Sequence, residues 1–502
     1  MIVLVRKSHA VKGQDSRFGL GFRLGRNVDA QVLVELGPQK DTAQLGEGSA
    51  KRDAKTTATN RQQQTLSWRS LMKRLGTTMR GIDNKNSFFH ELDSGRLVPR
   101  CIMLDLEPRV IHNIRNSACR KLFDAQNMFI GQDGGGAGNN WATGFNQSQK
   151  YKEILLDLIQ RETETMDCLE GFLITHAISG GTGAGMGSSV LELLTEVYPK
   201  KTIQTYSVFP TSVSQVSESG LKEGQYTDVV IEPYNSLLTL MRLTNYADSV
   251  IVLDNLALHN KTSKSNFLPL PSFANINKVA SDVMTASLGP IRYPGMMFNS
   301  LSEVVLALTP APKFHFLMTG YTPLRSFNSP ASVNVVKTSI ESVLSHLGKM
   351  NNMLVSIKYP KISRHGYISV FNVIQGNNHK ENLGVLKNSR QEFLQKASYL
   401  AWAKPMSLYQ TTLCPWSPYQ THPNRVSGLS MVNHSAIVSF FYSTLTQFGK
   451  LYSRKAYITQ MMSLSGFDDL ENELELCKTS CEDLILEYES ALTSNYSSNM
   501  SN

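Results

Sequence analysis

Tryptophan and cysteine are scarce in this chain, at four and six residues among 502. The cysteines (Cys101, Cys119, Cys168, Cys414, Cys477 and Cys481) show no metal or redox spacing. That excludes a zinc ribbon, a thioredoxin-like centre and a disulfide framework, and leaves reduced thiols in a cytoplasmic protein as the expectation. No run of eighteen apolar residues occurs, so no membrane insertion is expected. The opening "MIVLV" is too short for a signal-peptide core and polar residues follow it. Aromatic residues do not interleave with basic ones as a nucleic-acid stacking platform requires, so no nucleic-acid partner is expected.

What is present describes a globular chain long enough for two or three packed domains. Apolar residues make up 41% and charged residues 18%. The net charge of +9 is a local matter: residues 1–120 hold 21 Lys/Arg against 11 Asp/Glu, and the remainder holds 29 against 30. A surplus confined to one end describes a solvated or docking segment.

Residues 1–85 are poorly patterned and read as a divergent, partly disordered segment. Within it "EGSAKRDAKTTATNRQQQT" is polar, and "AQVLVELG" is the one strand candidate. Residues 86–280 alternate strand-like runs ("RCIMLDL", "GFLITHAI", "KTIQTYSVF", "DSVIVLDN") with helical patterns such as "YKEILLDLIQRETE". That alternation predicts a parallel sheet with ligand loops at the strand C-termini. Residues 281–420 mix helices with strand-like "KFHFLMTGY", "NNMLVSIKY" and "GYISVFNVIQG". Residues 421–502 end in a helix whose Leu470, Leu474, Cys477, Cys481, Leu484 and Tyr488 form one stripe, read as core packing.

The densest signal is "HAISGGTGAGMGSS", His176 to Ser189, with an apolar run before it and a helical pattern after it. Strand, glycine turn and helix aim free backbone N–H groups and a positive helix end at an anion. A Walker loop needs Lys-Ser/Thr after its last glycine, whereas Met186 follows Gly185; a dinucleotide fingerprint read from Gly183 meets Ser188 in place of its third glycine. The turn is therefore a phosphate cradle of a third kind, with the Thr182 hydroxyl as an added donor.

Other predicted strand ends carry matching chemistry. Asp105 and Glu107 in "LDLEP" suit Mg²⁺ beside a polyphosphate. "DGGGAGNNW" ends in Asn139 and Asn140 and offers a second row of donors. Asp228 and Glu232, four apart, suit ribose hydroxyls, and Asn255, Phe273 and Asn277 suit a purine edge and face. Together they describe a nucleoside triphosphate site.

"SGGTGAG" (Ser179 to Gly185), "GGGAGNNWATGF", "LDLEPRVIH" and "EPYNSLLTL" resemble the tubulin family. "YPKKTIQTYSVFP", "FLMTGYTPL", "NVIQG" and "HPNRVSGLSMVNHSAIVSFF" resemble its γ-tubulin branch, as does the absence of an acidic tail. The similarity runs from about Phe88 to Tyr488. It implies a Rossmann-like parallel-sheet GTPase domain, an α+β intermediate domain and a C-terminal helical layer. It also implies GTP or GDP with Mg²⁺, the phosphates held by Ser179, Gly180, Gly181, Thr182, Gly183, Ala184 and Gly185 with Gly136, Ala137, Gly138 and Asn139. Glu107 and Asp105 would stand on the metal side, Asp228 and Glu232 at the ribose, and Asn255 and Asn277 at guanine stacked on Phe273. The implied partners are γ-tubulin complex proteins, α/β-tubulin dimers and lateral copies in a ring, at a cytoplasmic microtubule-organising centre.

Three departures bear on this. The family opens with a strand and "GQCGNQ", for which Gln39 in "VLVELGPQ" is the best stand-in. Ala177 stands where the family has Ser, and the loop Pro210 to Tyr226 is longer than the family's. The family's N-x-D-x-x-E stretch is here "MMFNSLSEVV", with Ser300 near the Asp position and Glu303 as the only catalytic candidate. A polymerising α/β-type tubulin and, remotely, a nicotinamide-dependent oxidoreductase are the alternatives.

Overall fold

The computed structural model describes residues 1–7, 16–24, 30–38, 83–132, 134–210, 229–266, 271–295, 297–324, 339–357, 365–376, 383–403, 408–415, 426–465, 469–493 and 496. Contacts divide the chain into two units, Met1–Lys7 with Met79–Asn502, and Ser8–Thr78.

In the smaller unit, strands β2 (Ser16–Leu24) and β3 (Ala30–Pro38) pair antiparallel over nine residues each. In the larger unit the strands are β1 (Ile2–Arg6), the short hairpin β4 (Phe89–Glu91) and β5 (Leu97–Pro99), then β6 (Cys101–Asp105) and β7 (Met128–Ile130). There follow β8 (Leu169–Ala177), β9 (Thr202–Phe209), β10 (Ser249–Asp254), β11 (Phe316–Thr322), β12 (Tyr367–Gln375), β13 (Tyr409–Cys414) and β14 (Ser427–His434). Ten of them form one sheet in the order β13-β12-β14-β11-β10-β9-β8-β1-β6-β7. β8, β9, β10 and β11 run parallel in sequence, and β14 runs antiparallel between β11 and β12.

Among the described residues the helices of eight residues or more are α1 (Pro108–Asn116), α2 (Trp141–Lys150), α3 (Lys152–Glu164), α4 (Gly187–Val197), α5 (Glu232–Tyr246), α6 (Asn255–Asn266) and α7 (Phe273–Ser287). After them come α8 (Leu301–Leu308), α9 (Ile340–Leu347), α10 (Leu383–Lys396), α11 (Val438–Tyr452), α12 (Ile458–Ser465) and α13 (Leu470–Ser490). They cover both faces of the sheet, as strand alternation shows. Phe172 and Ile174 join a core with Trp141, Leu191, Leu237, Phe441 and Leu484, while Leu173 between them joins a second core with Ile276, Val283, Leu301 and Val304. A sheet buried on both faces reads as continuous apolar runs, which is why β8 and β10 are legible from sequence. The stripe on α13 is buried throughout, from Leu470 at 0% to Leu484 at 4% exposure.

One sequence expectation needs correction. "NNMLVSIKY" contributes one isolated bridge, Met353 to Gly320, and no named strand. Its Leu354 N–H bonds Thr319 O, but Ser356 N–H turns away to the Asp254 carboxylate, so no ladder propagates. The four strands read from residues 86–280 (β6, β8, β9 and β10) run in one direction, as expected, with one antiparallel strand between β6 and β8. "MIVLV", set aside at the sequence level, supplies β1, which is antiparallel to both β6 and β8. Ile2, Leu4 and Val5 are at most 1% exposed. Running in reverse, β1 sends the chain out beside Cys168, where Lys7 N–H bonds, at the edge where β8 begins.

Candidate functional site

At that finishing edge Ile178 N–H still bonds Val208 O, and the chain then leaves the ladder. Thr182–Met186 form one wide helical turn that leads into α4. Among the described residues the N–H groups of Thr182, Gly183 and Ala184 meet no acceptor, while Gly185 N–H returns to Gly181 O at 2.7 Å. Free donors at the head of a helix make an anion site. Some of these glycines have a reason the sequence reading did not foresee. A Cβ on Gly181 would lie 2.5 Å from the Ala137 Cβ, and one on Gly185 would lie 2.0 Å from Trp141 O. They admit the neighbouring loop rather than a ligand.

That neighbour follows β7. Gly134, Gly136, Gly138 and Asn139 have φ of 62°, 65°, 55° and 55°, the left-handed region in which glycine and asparagine are at home. Successive N–H groups in such a conformation form an anion-binding concavity. Asn140 closes it: its Oδ1 accepts from Ala142 N–H at 3.1 Å to cap α2, and its Nδ2 donates to Met461 O at 3.1 Å. A Cβ on Gly136 would stand 3.7 Å from the Glu107 Cβ, so Glu107 borders this concavity. Asp105 Oδ1 accepts from Glu107 N–H at 3.2 Å, and Arg109 pairs with Glu107 at 3.3 Å. Among the described residues no group of three or more His, Cys, Asp or Glu could hold a metal unaided. Two carboxylates beside rows of free N–H groups instead suit a cation held largely by polyphosphate oxygens.

Asn235 on α5, within the quoted "EPYN" but not singled out from sequence, staples the two loops. Its Nδ2 donates to Asn139 O at 2.6 Å and Ser179 O at 2.9 Å, and its Oδ1 accepts from Trp141 N–H at 3.0 Å. It is fully buried. Its place three residues after Glu232, hence on the same helix face, was the available signal. Behind it Arg242 ties the site to the outer layer. Its guanidinium lies 4.9 Å from the Trp141 ring and pairs with Glu192 at 3.1 Å and with Glu473 of α13.

Below the turn lies His176, 8% exposed, with Nδ1 2.8 Å from Gly183 O and Nε2 2.9 Å from Ser207 Oγ. Burial pushes its pKa down to about 4, against the Gly183 carbonyl that favours the charged ring. The imidazole is therefore neutral at pH 7.

Glu232, 7% exposed, opens α5, and half-buried Asn255 opens α6 directly after β10. Because β8, β9 and β10 are parallel, Asn255 leaves the sheet at the same edge as Ser179. Phe273, 77% exposed, and exposed Asn277 lie one turn apart at the head of α7. Asp228 and Gln39 lie outside the described residues, as does most of the loop 210–226. Glu303 is elsewhere. Its Oε2 accepts from Asn299 N–H at 2.9 Å, and its N–H donates to Ser300 Oγ at 3.2 Å, so it caps α8. The next residue back, Ser302, bonds Glu170 at the start of β8. Glu303 thus belongs to the edge opposite the glycine loops, and it meets such loops only if a second molecule brings them.

Two family descriptions match the chain. The tubulin/FtsZ family GTPase domain matches residues 61–263, which include both glycine loops, Asn235 and Asn255. The tubulin C-terminal domain matches residues 312–446, which include β11 to β14. Phe273, Asn277 and Glu303 fall between the two matched stretches.

Proposed function

This chain belongs to the tubulin family, and from that premise we propose that it is a GTP-binding nucleator of microtubules of the γ-tubulin type. The observation that supports it best is the pair of glycine loops, stapled by Asn235, that present free N–H groups at one edge of the sheet. Those N–H groups and the Thr182 hydroxyl would hold the phosphates. Asp105 and Glu107 would share Mg²⁺ with the phosphate oxygens, and the bound Mg²⁺ would supply charge neutralisation there. Glu232 would accept from ribose, while Asn255, Asn277 and the exposed Phe273 ring would take the guanine. Assignment to the γ branch rests on "HPNRVSGLSMVNHSAIVSFF" and its companion stretches.

Starting a filament costs association entropy before enough contacts exist to offset it. Copies of this protein held side by side by γ-tubulin complex proteins at a microtubule-organising centre would offer α/β-tubulin dimers several faces at once. That mechanism needs bound GTP and little hydrolysis, which suits a Glu303 engaged in capping its own helix.

The test has two arms. In equilibrium binding, labelled GTP should be displaced by GDP and not by NAD; tight NAD binding without GTP competition would end the tubulin reading. In an assay of microtubule number per unit time from α/β-tubulin, the protein assembled with its complex partners should seed growth, and Glu303→Ala should seed nearly as well. Loss of seeding in Glu303→Ala with GTP binding intact would make turnover part of the mechanism.

A further inference from the structure

The N–H groups of the turn face an anion only if its carbonyls face elsewhere, and one carbonyl has a dedicated partner. Gly183 O accepts from a His176 ring nitrogen at 2.8 Å. A carbonyl can only accept, so Nδ1 carries the proton, and Nε2 is left as the acceptor for the Ser207 hydroxyl at 2.9 Å. Ser207 Oγ, its hydrogen thus committed, accepts in turn from Thr205 Oγ1 at 3.0 Å. Thr205 and Ser207 are both fully buried on β9, so this directional chain starts in the sheet and ends on the glycine turn. Backbone contact holds the same place: a Cβ on Gly183 would lie 2.7 Å from Ala177 O. With the carbonyl drawn inward, the N–H across that trans peptide, on Ala184, points the opposite way.

We propose that His176 is a positioning residue for phosphate binding: its Nδ1–H, required by the Gly183 carbonyl and matched by the Ser207 hydroxyl on Nε2, holds that carbonyl away from the anion and keeps the neighbouring N–H groups presented. This rests on the reading of the turn as a GTP phosphate site. A freed carbonyl in a glycine-rich turn can rotate outward, where it would repel phosphate oxygens and remove a donor together.

The test measures equilibrium binding of GTP and of guanosine, which lacks phosphates, to the full-length protein and three variants. His176→Asn places an amide N–H near the position of Nδ1; His176→Phe keeps the bulk without a donor; Ser207→Ala removes the hydroxyl that supports the ring at Nε2. His176→Phe should lose about tenfold or more in GTP affinity, the size of effect when a buried carbonyl loses its donor. Guanosine affinity should change less than about twofold, His176→Asn should restore most of the loss, and Ser207→Ala should fall between. If the unaltered protein binds no GTP, the phosphate-site reading fails before this one is reached. If it binds GTP and His176→Phe, shown folded by its unfolding transition, binds equally well, positioning is refuted. Equal loss of GTP and guanosine would assign His176 a general structural role and also refute it.

Discussion

The loop 134–140 and the turn 178–187 are both built on glycine, and they need it for different reasons. In the first, Gly134 and Gly138 have positive φ, and a Cβ at either would meet nothing within 4 Å. In the second, no described glycine has positive φ, but Gly181, Gly183 and Gly185 are pressed against backbone or Cβ atoms at 2.7 Å or less. One loop needs glycine for the path of its own chain, the other for what lies against it. Residue type alone cannot separate these, since both read as "phosphate loop". The difference fixes how each should fail.

The largest effect belongs to the pressed turn. Gly185→Ala puts a methyl 2.0 Å from Trp141 O and 2.6 Å from Phe145 N, and backbone cannot yield there without moving α2. We expect a loss above about 4 kcal/mol, or no soluble protein, in urea unfolding. A loss under about 1 kcal/mol would show that the two loops are less tightly apposed than described.

Acid should reach the same turn next. His176 titrates near 4 in the fold against 6.5 as a free side chain, chiefly through burial. Its contribution is complete above pH 6.5 and is lost as pH falls toward 4, because the unfolded chain takes up the proton first. The full window corresponds to about 3 kcal/mol. Unfolding free energies measured from pH 7 to pH 4 should therefore fall more steeply for the unaltered protein than for His176→Asn. Parallel curves would show that His176 is not held neutral.

Smaller effects separate conformation from space. Gly138→Ala should cost about 1 kcal/mol, because φ of 55° is awkward for alanine although there is room. Gly138→Asn should recover much of that, as Asn139 already tolerates the same φ next door. Equal losses for the two would point to space rather than strain. Gly180 has neither constraint, with no positive φ and nothing within 4 Å of a built Cβ. Gly180→Ala should stay within about 0.5 kcal/mol of the unaltered protein and bind GTP equally; weakened GTP binding alone would mean the phosphate passes over Gly180.

Legibility from sequence followed periodicity. β8, β9, β10 and α13 were readable because each buries a regular pattern, on two faces for the strands and on one stripe for the helix. The strand-turn-helix unit around Ser179 was readable because glycine clustering is rare inside such patterns. Asn235 was not, since one amide on an amphipathic helix looks like any other polar residue until its two acceptors arrive from residues 139 and 179. "NNMLVSIKY" had the composition of a strand, yet Asp254 takes the donor of Ser356 that a ladder would need. β1 was not singled out, since "MIVLV" was weighed only as a signal-peptide core, and its direction is set by pairing alone, which four apolar residues and an arginine cannot announce.

That first strand also has a consequence in time. Among the described residues β6 pairs with β1 and β7, so the β6–β7 pair is joined to the other strands of the sheet through Ile2–Arg6. β1 is made before its partners, and Ile174, paired with Ile2, leaves the ribosome more than a hundred and fifty residues later. Closing so distant a pairing is slow compared with local helix or hairpin formation. The step that joins the β6–β7 pair to the remaining strands should therefore be a slow one.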